Sequence, residues 1–303
     1  MPTFPGFVRR RGLRLLIAVP AVWLLVSFCV AYGLTRRPRP WFAEPVPTVG
    51  WGTLEARRIR TSDGHELGAW FARGRDGAPS VLVLHGNRGS RRNVLDRAEL
   101  FASAGCSVLL VSLRAHGDST GDFNDIGLSA RHDVVAAVGL LEQLRPGRPV
   151  VIHGTSMGAA AALFAAEELA RRVDGYILEC PYQDLKTAVR NRTRNSLPPV
   201  LDWLAYESLV LVAPAVLPEL AQTSAVRAAA AVPADVPVLV LAGGLDRRAR
   251  PDEASAIFAQ VRSHATLAVF ERADHLRLHV ADPARYRRTI LGFIAALSLP
   301  ERP

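Results

Sequence analysis

His153-Gly154-Thr155-Ser156-Met157-Gly158 is the stretch on which the reading of this chain turns. The apolar run Pro149-Val150-Val151-Ile152 leads into it and an alanine-rich stretch follows Met157, so a strand passes into a helix through G-x-S-x-G. The two glycines let the backbone turn sharply enough to leave Ser156 exposed at the N-terminal end of the helix, the pattern of a nucleophile elbow. With 23 glycines in the chain the five residues alone are a weak signal, and the order of elements around them carries the reading.

Short continuous apolar runs recur at 80–85, 107–111, 149–153, 175–179, 237–241 and 265–270. Each reads as a strand buried on both faces, as in a parallel sheet. Helical stretches at 92–104, 128–144, 157–171, 252–262 and 283–297 lie between them, so the class is α/β. Ahead of this series, residues 54–60 and 66–72 alternate around Ser62-Asp63-Gly64, a hairpin signal. The rhythm breaks at 181–231, an apolar interval punctuated by proline that contains Trp203, Tyr206 and Leu209-Val210-Leu211-Val212. It reads as an inserted helical cap over the carboxyl edge of the sheet, where open α/β sheets hold their ligands.

The chain has 303 residues and a formal charge of +9, but its first 42 residues hold seven arginines and no acid, leaving +2 for the rest. Lys186 is the only lysine, so the arginine content fits a coding bias better than a phosphate-binding surface, and no nucleic-acid partner is expected. Residues 15–34 carry no charge and are long enough to cross the hydrocarbon core as a helix, with Pro20 tolerable there and Trp23 and Tyr32 suited to apolar or interfacial positions. A cleaved leader fits less well: the apolar stretch is long, no small-x-small site follows, and Phe28 before Cys29 suits lipoprotein cleavage poorly. The expected organisation is a basic segment at 1–14, a transmembrane helix at 15–34, a proline-rich linker at 35–50 and a catalytic domain at 51–303 with its cap at 181–231. Arg9, Arg10, Arg11 and Arg14 before the span, against Arg36, Arg37 and Arg39 after it, place the domain outside the cytoplasm once the amino terminus is added to the first group. Cys29, Cys106 and Cys180 suggest no disulfide framework.

A serine hydroxyl needs a base to take its proton, commonly a histidine oriented by an acid, and after an elbow the order along the chain is nucleophile, acid, base. Asp246 follows the strand at 237–241 and His275 follows that at 265–270, so both stand where the order requires. The bland reading of Asp246 is a turn acid beside Arg247 and Arg248, and of His275 a solvated loop histidine; the joint placement favours function. Asp252 reads as an acid at a helix N-terminus, His279 lies one turn past His275, and Asp274 adjoins the base too closely to orient it. Two oxyanion donors are expected, the N–H of Met157 and that of Asn87 in His85-Gly86-Asn87-Arg88-Gly89. His85 and His153 read as structural, and Arg114 to Ser119 as a tight turn packed near the elbow, with no catalytic step for His116. No P-loop, C-x-x-C or H-E-x-x-H occurs, so neither cofactor nor metal is expected.

His85-Gly86-Asn87, the Arg-x-His-Gly-x-Ser stretch at Arg114 to Ser119, the elbow, Leu245-Asp246 and Asp274-His275-Leu276 stand in one order. As a set they resemble the α/β-hydrolase superfamily, in particular its membrane-anchored, Bem46-like and serine-aminopeptidase-like members, over residues 54–297. The resemblance implies an eight-stranded, mostly parallel sheet, a helical cap after the sixth strand, and cofactor-free hydrolysis of ester, thioester or amide bonds. Ala115 stands where relatives commonly carry glycine, and Leu113 where an aromatic is frequent. The expected function is a membrane-anchored serine hydrolase with Ser156, Asp246 and His275 as triad, acting on a small or lipid-like acyl substrate. The alternatives are an inactive protein of this fold serving as a binding or scaffold module, and a perhydrolase or lyase that keeps the triad.

Overall fold

A run such as Val81-Leu82-Val83-Leu84 has no polar face to offer water, which drives it to the middle of a sheet covered on both sides. In the computed structural model, which describes residues 6–297 and only the backbone of 6–15, these runs form an eight-stranded sheet. The strands are β1 (Glu55–Arg60), β2 (Glu66–Ala72), β3 (Ser80–Leu84), β4 (Ser107–Val111), β5 (Val150–Thr155), β6 (Gly175–Glu179), β7 (Val238–Gly243) and β8 (Ala265–Phe270), in the order β1-β2-β4-β3-β5-β6-β7-β8. β2 is antiparallel to both β1 and β4, and every later pairing is parallel. This is the mostly parallel α/β-hydrolase architecture expected above.

The helices are α1 (Gly6–Leu34), α2 (Leu95–Ser103), α3 (Arg131–Leu144), α4 (Met157–Phe164), α5 (Ala166–Leu169), α6 (Leu185–Ser196), α7 (Pro199–Val216), α8 (Ala225–Ala229), α9 (Pro251–Val261), α10 (Leu278–Ala281) and α11 (Pro283–Leu297). Val134, Ala161, Ala229 and Ile257 of α3, α4, α8 and α9 join the apolar layer on one face of the sheet. Phe101 of α2 and Ile290 of α11 join the layer on the other. Two expected helices are subdivided. The stretch read as 157–171 breaks after α4 and ends at Ala170 with a positive φ of 46°, and the one read as 92–104 begins as a tight 3₁₀ turn capped by Ser90.

After β6 the cap is helical, made of α6, α7 and α8. Among the described residues, two stretches are apolar and long enough to cross a membrane, Leu16–Leu34 of α1 and the whole of α7. The two helices pack on each other, with Trp23 Nε1 donating to Ser208 Oγ at 3.1 Å and Ser27 Oγ to the same oxygen at 2.9 Å. Residues 1–5 of the expected basic segment, and the side chains of Arg9, Arg10, Arg11 and Arg14, lie outside what is described.

The segment expected as a linker is strapped to the domain. Arg36 bridges to Phe123, the Arg37 backbone N–H donates to Asp122 O at 2.8 Å, and its guanidinium caps the carbonyls of Gly117, Ser119 and Gly121. Glu44 is buried against Arg91 at 3.1 Å and accepts from Ser112 Oγ. Proline stiffness alone describes a spacer, whereas the ion pair fixes where this one runs.

Candidate active site

The elbow is held open by two missing side chains. A Cβ on Gly154 would stand 2.5 Å from Ala159 N, and one on Gly158 2.8 Å from His85 O, so no larger residue fits where β5 turns into α4. Ser156 sits between them with φ 51° and ψ −109°, a conformation that side chains with a Cβ rarely adopt. Its N–H donates to Glu179 O at 2.8 Å, which ties the turn to the end of β6.

The loops after β7 and β8 carry the acid and base read from the sequence, and Leu245 N donating to Ala273 O at 2.9 Å joins them. Asp246 is buried; one carboxylate oxygen accepts the N–H groups of Arg248 and Ala249 at 2.8 and 3.0 Å, and the other lies 2.6 Å from His275 Nδ1. With Nδ1–H given to Asp246, Nε2 is left to accept a proton. Ser156 and this pair share one neighbourhood. The carbonyl of Glu179 holds the Ser156 N–H, while the sulfur of the next residue, Cys180, lies within 4.8 Å of the Asp246 and His275 ligand atoms. No hydrogen bond joins Ser156 Oγ to His275 among the described residues. The rivals serve elsewhere: Asp274 accepts the backbone N–H of His275 at 2.7 Å, His279 Nε2 meets Asp96 at 2.9 Å, and Asp252 is exposed beside Arg250.

Facing the elbow, the loop after β3 carries Asn87, with Met157 N–H at the start of α4. Two neutral histidines hold this loop. His85 bonds Gly86 O through Nδ1 at 2.8 Å and accepts Leu113 N–H on Nε2 at 3.0 Å. His116 bonds Arg114 O through Nδ1 at 2.8 Å and accepts Arg88 N–H on Nε2 at 3.2 Å. Burial, and the neighbouring His116, lower the His85 pKa to about 3; burial and Arg37 lower that of His116 to about 4. Both therefore keep one acceptor nitrogen at neutral pH. His116 was read as part of a turn, but it anchors Arg88, which has φ 65°. The turn itself is braced by Arg114, paired with Asp133 at 2.7 Å and Asp63 at 2.6 Å.

Sequence reasoning missed the ionic group beneath Ser156. Arg97 of α2 pairs with Glu179 at 2.7 Å and also donates to Leu276 O at 3.0 Å, so one guanidinium joins the elbow's support to the residue after His275. Tyr286 OH completes the group at 2.8 Å from Glu179, and His153 Nε2 lies 3.3 Å from it. Burial alone would push the Glu179 carboxyl up, yet Arg97 and the His153 ring hold it well below the ordinary carboxylate range. The signal available was an arginine on the apolar face of a helix, one residue from the acid Asp96, a placement that reads as a solvated pair.

Cys180, Asp246 and His275 are close enough to share a cation, but the chemistry of the set argues against one. Burial and the charges of Glu179 and Asp246 push the Cys180 thiol well up, away from the thiolate a metal takes, and Nδ1 of His275 is already engaged. Charge of the other sign gathers at the cap: burial and the nearby Arg248 and Arg88 hold the Arg192 guanidinium below its ordinary value.

The alpha/beta hydrolase family model matches residues 81–289. Among curated proteins, the chain is similar to the uncharacterized membrane protein YNL320W of Saccharomyces cerevisiae, 28% identical over 45% of this chain and 48% of that one. It is also similar to lysophosphatidylserine lipase ABHD12 of Xenopus tropicalis, 27% identical over 46% of this chain and 37% of that one. The chain thus spans half the length or less of these relatives. Among solved structures, the esterase Pf2001 of Pyrococcus furiosus shares the fold, with a TM-score of 0.68 and 22% identity over 85% of this chain and 98% of that one.

Proposed function

The chain belongs to the alpha/beta hydrolase family, and from that premise we propose that it is a membrane-attached serine hydrolase of acyl esters. Ser156 Oγ attacks the acyl carbonyl carbon as its proton passes to His275 Nε2, with Asp246 holding the imidazole and stabilising its charge. The N–H groups of Asn87 and Met157 receive the oxyanion. The bond to the leaving oxygen then breaks as His275 returns the proton to it, and water, with His275 again as base, releases the acid from the acyl-enzyme.

The observation that carries this reading is the strained Ser156 turn beside the buried Asp246–His275 pair at 2.6 Å. A lipid-like ester is the favoured substrate class, supported by the apolar cap, by α1 as a membrane anchor and by the lipase among the relatives. The catalytic domain faces away from the cytoplasm in this reading, which a topology reporter fused after residue 303 tests. The reaction is tested by labelling the purified protein with a fluorophosphonate. Labelling of wild type that is lost in both Ser156→Ala and His275→Ala is expected; well-folded wild type that fails to label would favour an inactive binding module instead.

A further inference from the structure

Between α1 and the cap lies a cavity of about 470 Å³, within the size range of small-molecule sites. Val26, Val30 and Leu34, at successive four-residue intervals on one face of α1, wall one side; Leu209 and Ala213 of α7 wall the other. Asn87 also lines it. A side chain built on the adjacent Gly86 would stand 3.4 Å from Ser156 Cβ, so the cavity reaches to within one residue of the elbow.

Polar bonds fix this wall to the site. Thr35, just past α1, accepts the N–H of Asn124 at 2.9 Å, and the Asn124 side chain donates to Asn87 Oδ1 at 3.0 Å. At the other end of the described span, the bonds of Trp23 and Ser27 to Ser208 clamp α1 on α7. The outer faces are apolar and open: Leu25 of α1 is 62% exposed and Leu211 of α7 is 68% exposed. Both helices meet the length and composition of a membrane span, so a bilayer that held both would bring its hydrocarbon to the seam between them.

We propose that this cavity binds the acyl chain of the substrate, that the chain enters it from the bilayer between α1 and α7, and that α1 is consequently a wall of the substrate site as well as an anchor. The inference rests on the hydrolase reading above and adds the route and the specificity-determining surface. Saturated chain is the chemistry that fits the two long walls, which offer methyl and methylene groups; the polar lining includes Asn87, on the side of the elbow, and Lys186, Arg192, Thr193 and Ser196 of α6.

The test uses the full chain in detergent, with p-nitrophenyl acetate and p-nitrophenyl palmitate as the two probes. Val30→Trp and Ala213→Trp, which fill the cavity from opposite walls, are expected to lower the palmitate-to-acetate ratio of kcat/KM at least tenfold. Leu25→Phe, on the outer face of α1, is expected to keep the ratio of wild type. Fluorophosphonate labelling at the wild-type rate certifies each variant as folded, and Val30→Phe and Ala213→Leu replace any that fail. A ratio within twofold of wild type in both filled variants would overturn the acyl-chain assignment while leaving the hydrolase standing. Wild type that cleaves neither ester would remove the hydrolase reading, and the assignment with it.

Discussion

The floor beneath Ser156 and the roof above it are built from opposite materials. Below, Arg97, Glu179 and Tyr286 form a buried ionic group whose bonds reach both the elbow and the loop of His275. Above, α1 and α7 meet through apolar side chains, joined directly by the two hydrogen bonds to Ser208. Charge-assisted bonds fix atoms in one geometry, which is what the proposed nucleophile and base require. Apolar walls fix only shape and volume, which suits the acyl chain proposed to slide in and out. The contrast predicts that damage to the floor will be large and indiscriminate, and damage to the roof small and selective.

The largest effect is expected at Arg97. Arg97→Met leaves the Glu179 carboxylate buried without its cation and frees the Leu276 carbonyl, and breaking a buried pair by removing one partner costs about 3–5 kcal/mol. Denaturant unfolding in detergent measures the loss. Arg97→Lys, which keeps the charge but not the fork, is expected to recover part of the stability but less of kcat, because only the guanidinium reaches both Glu179 and Leu276. Equal recovery of both would reduce Arg97 to a structural residue.

The floor's material also determined how legible it was. Gly154 and Gly158 announce themselves because a Cβ at either would collide with backbone, and the strands do so because continuous apolar runs have one physical solution. Ala115 is instructive: it holds φ 58°, the left-handed region that favours glycine, so the residue expected from the resemblance is the one its backbone would prefer. Arg97 and Glu179 were illegible because their meaning is a pairing across 82 residues, and taken locally one is a helix cation and the other the end of an apolar strand. Glu44 under Arg91 failed to show for the same reason, inside a stretch whose prolines suggest only a stiff spacer. The roof was half legible. The apolar character of α1 and of the cap is plain in the sequence, but their mutual packing, between residues 181 positions apart, leaves no local trace.

An intermediate effect sharpens the contrast through pH, since the histidines that hold the Asn87 loop belong to the polar side of the site. His85 and His116 have folded pKa values lowered to about 3 and about 4, below the ordinary 6.5. Between these limits the unfolded chain binds more protons than the folded one, so their contribution is present above pH 6.5 and is lost as pH falls. Each histidine contributes a slope of about 1.4 kcal/mol per pH unit, or about 2 kcal/mol between pH 6.5 and 5. His116→Gln, whose amide can still accept from Arg88 N–H and donate to Arg114 O, is expected to remove its share of that slope. An unchanged slope in the variant would mean that His116 takes up its proton as readily in the folded protein as in the unfolded chain, so that the loop does not depend on its neutral ring.

The smallest effect belongs to the roof. Ser208 Oγ accepts from Trp23 and Ser27 and donates to Leu204 O at 2.8 Å, so Ser208→Ala removes every direct side-chain hydrogen bond between α1 and α7 that the described residues make. Hydrogen bonds between helices in a membrane average about 0.6 kcal/mol, because the separated helices find other partners. Global stability should therefore fall by less than about 1 kcal/mol, well under the loss at Arg97. The apolar seam remains, but nothing polar fixes its register, so the ratio of long-chain to short-chain ester hydrolysis should shift while acetate turnover hardly moves. A stability loss as large as that of Arg97→Met would show that the roof is as rigid as the floor, and would make α1 a structural member of the domain before it is anything else.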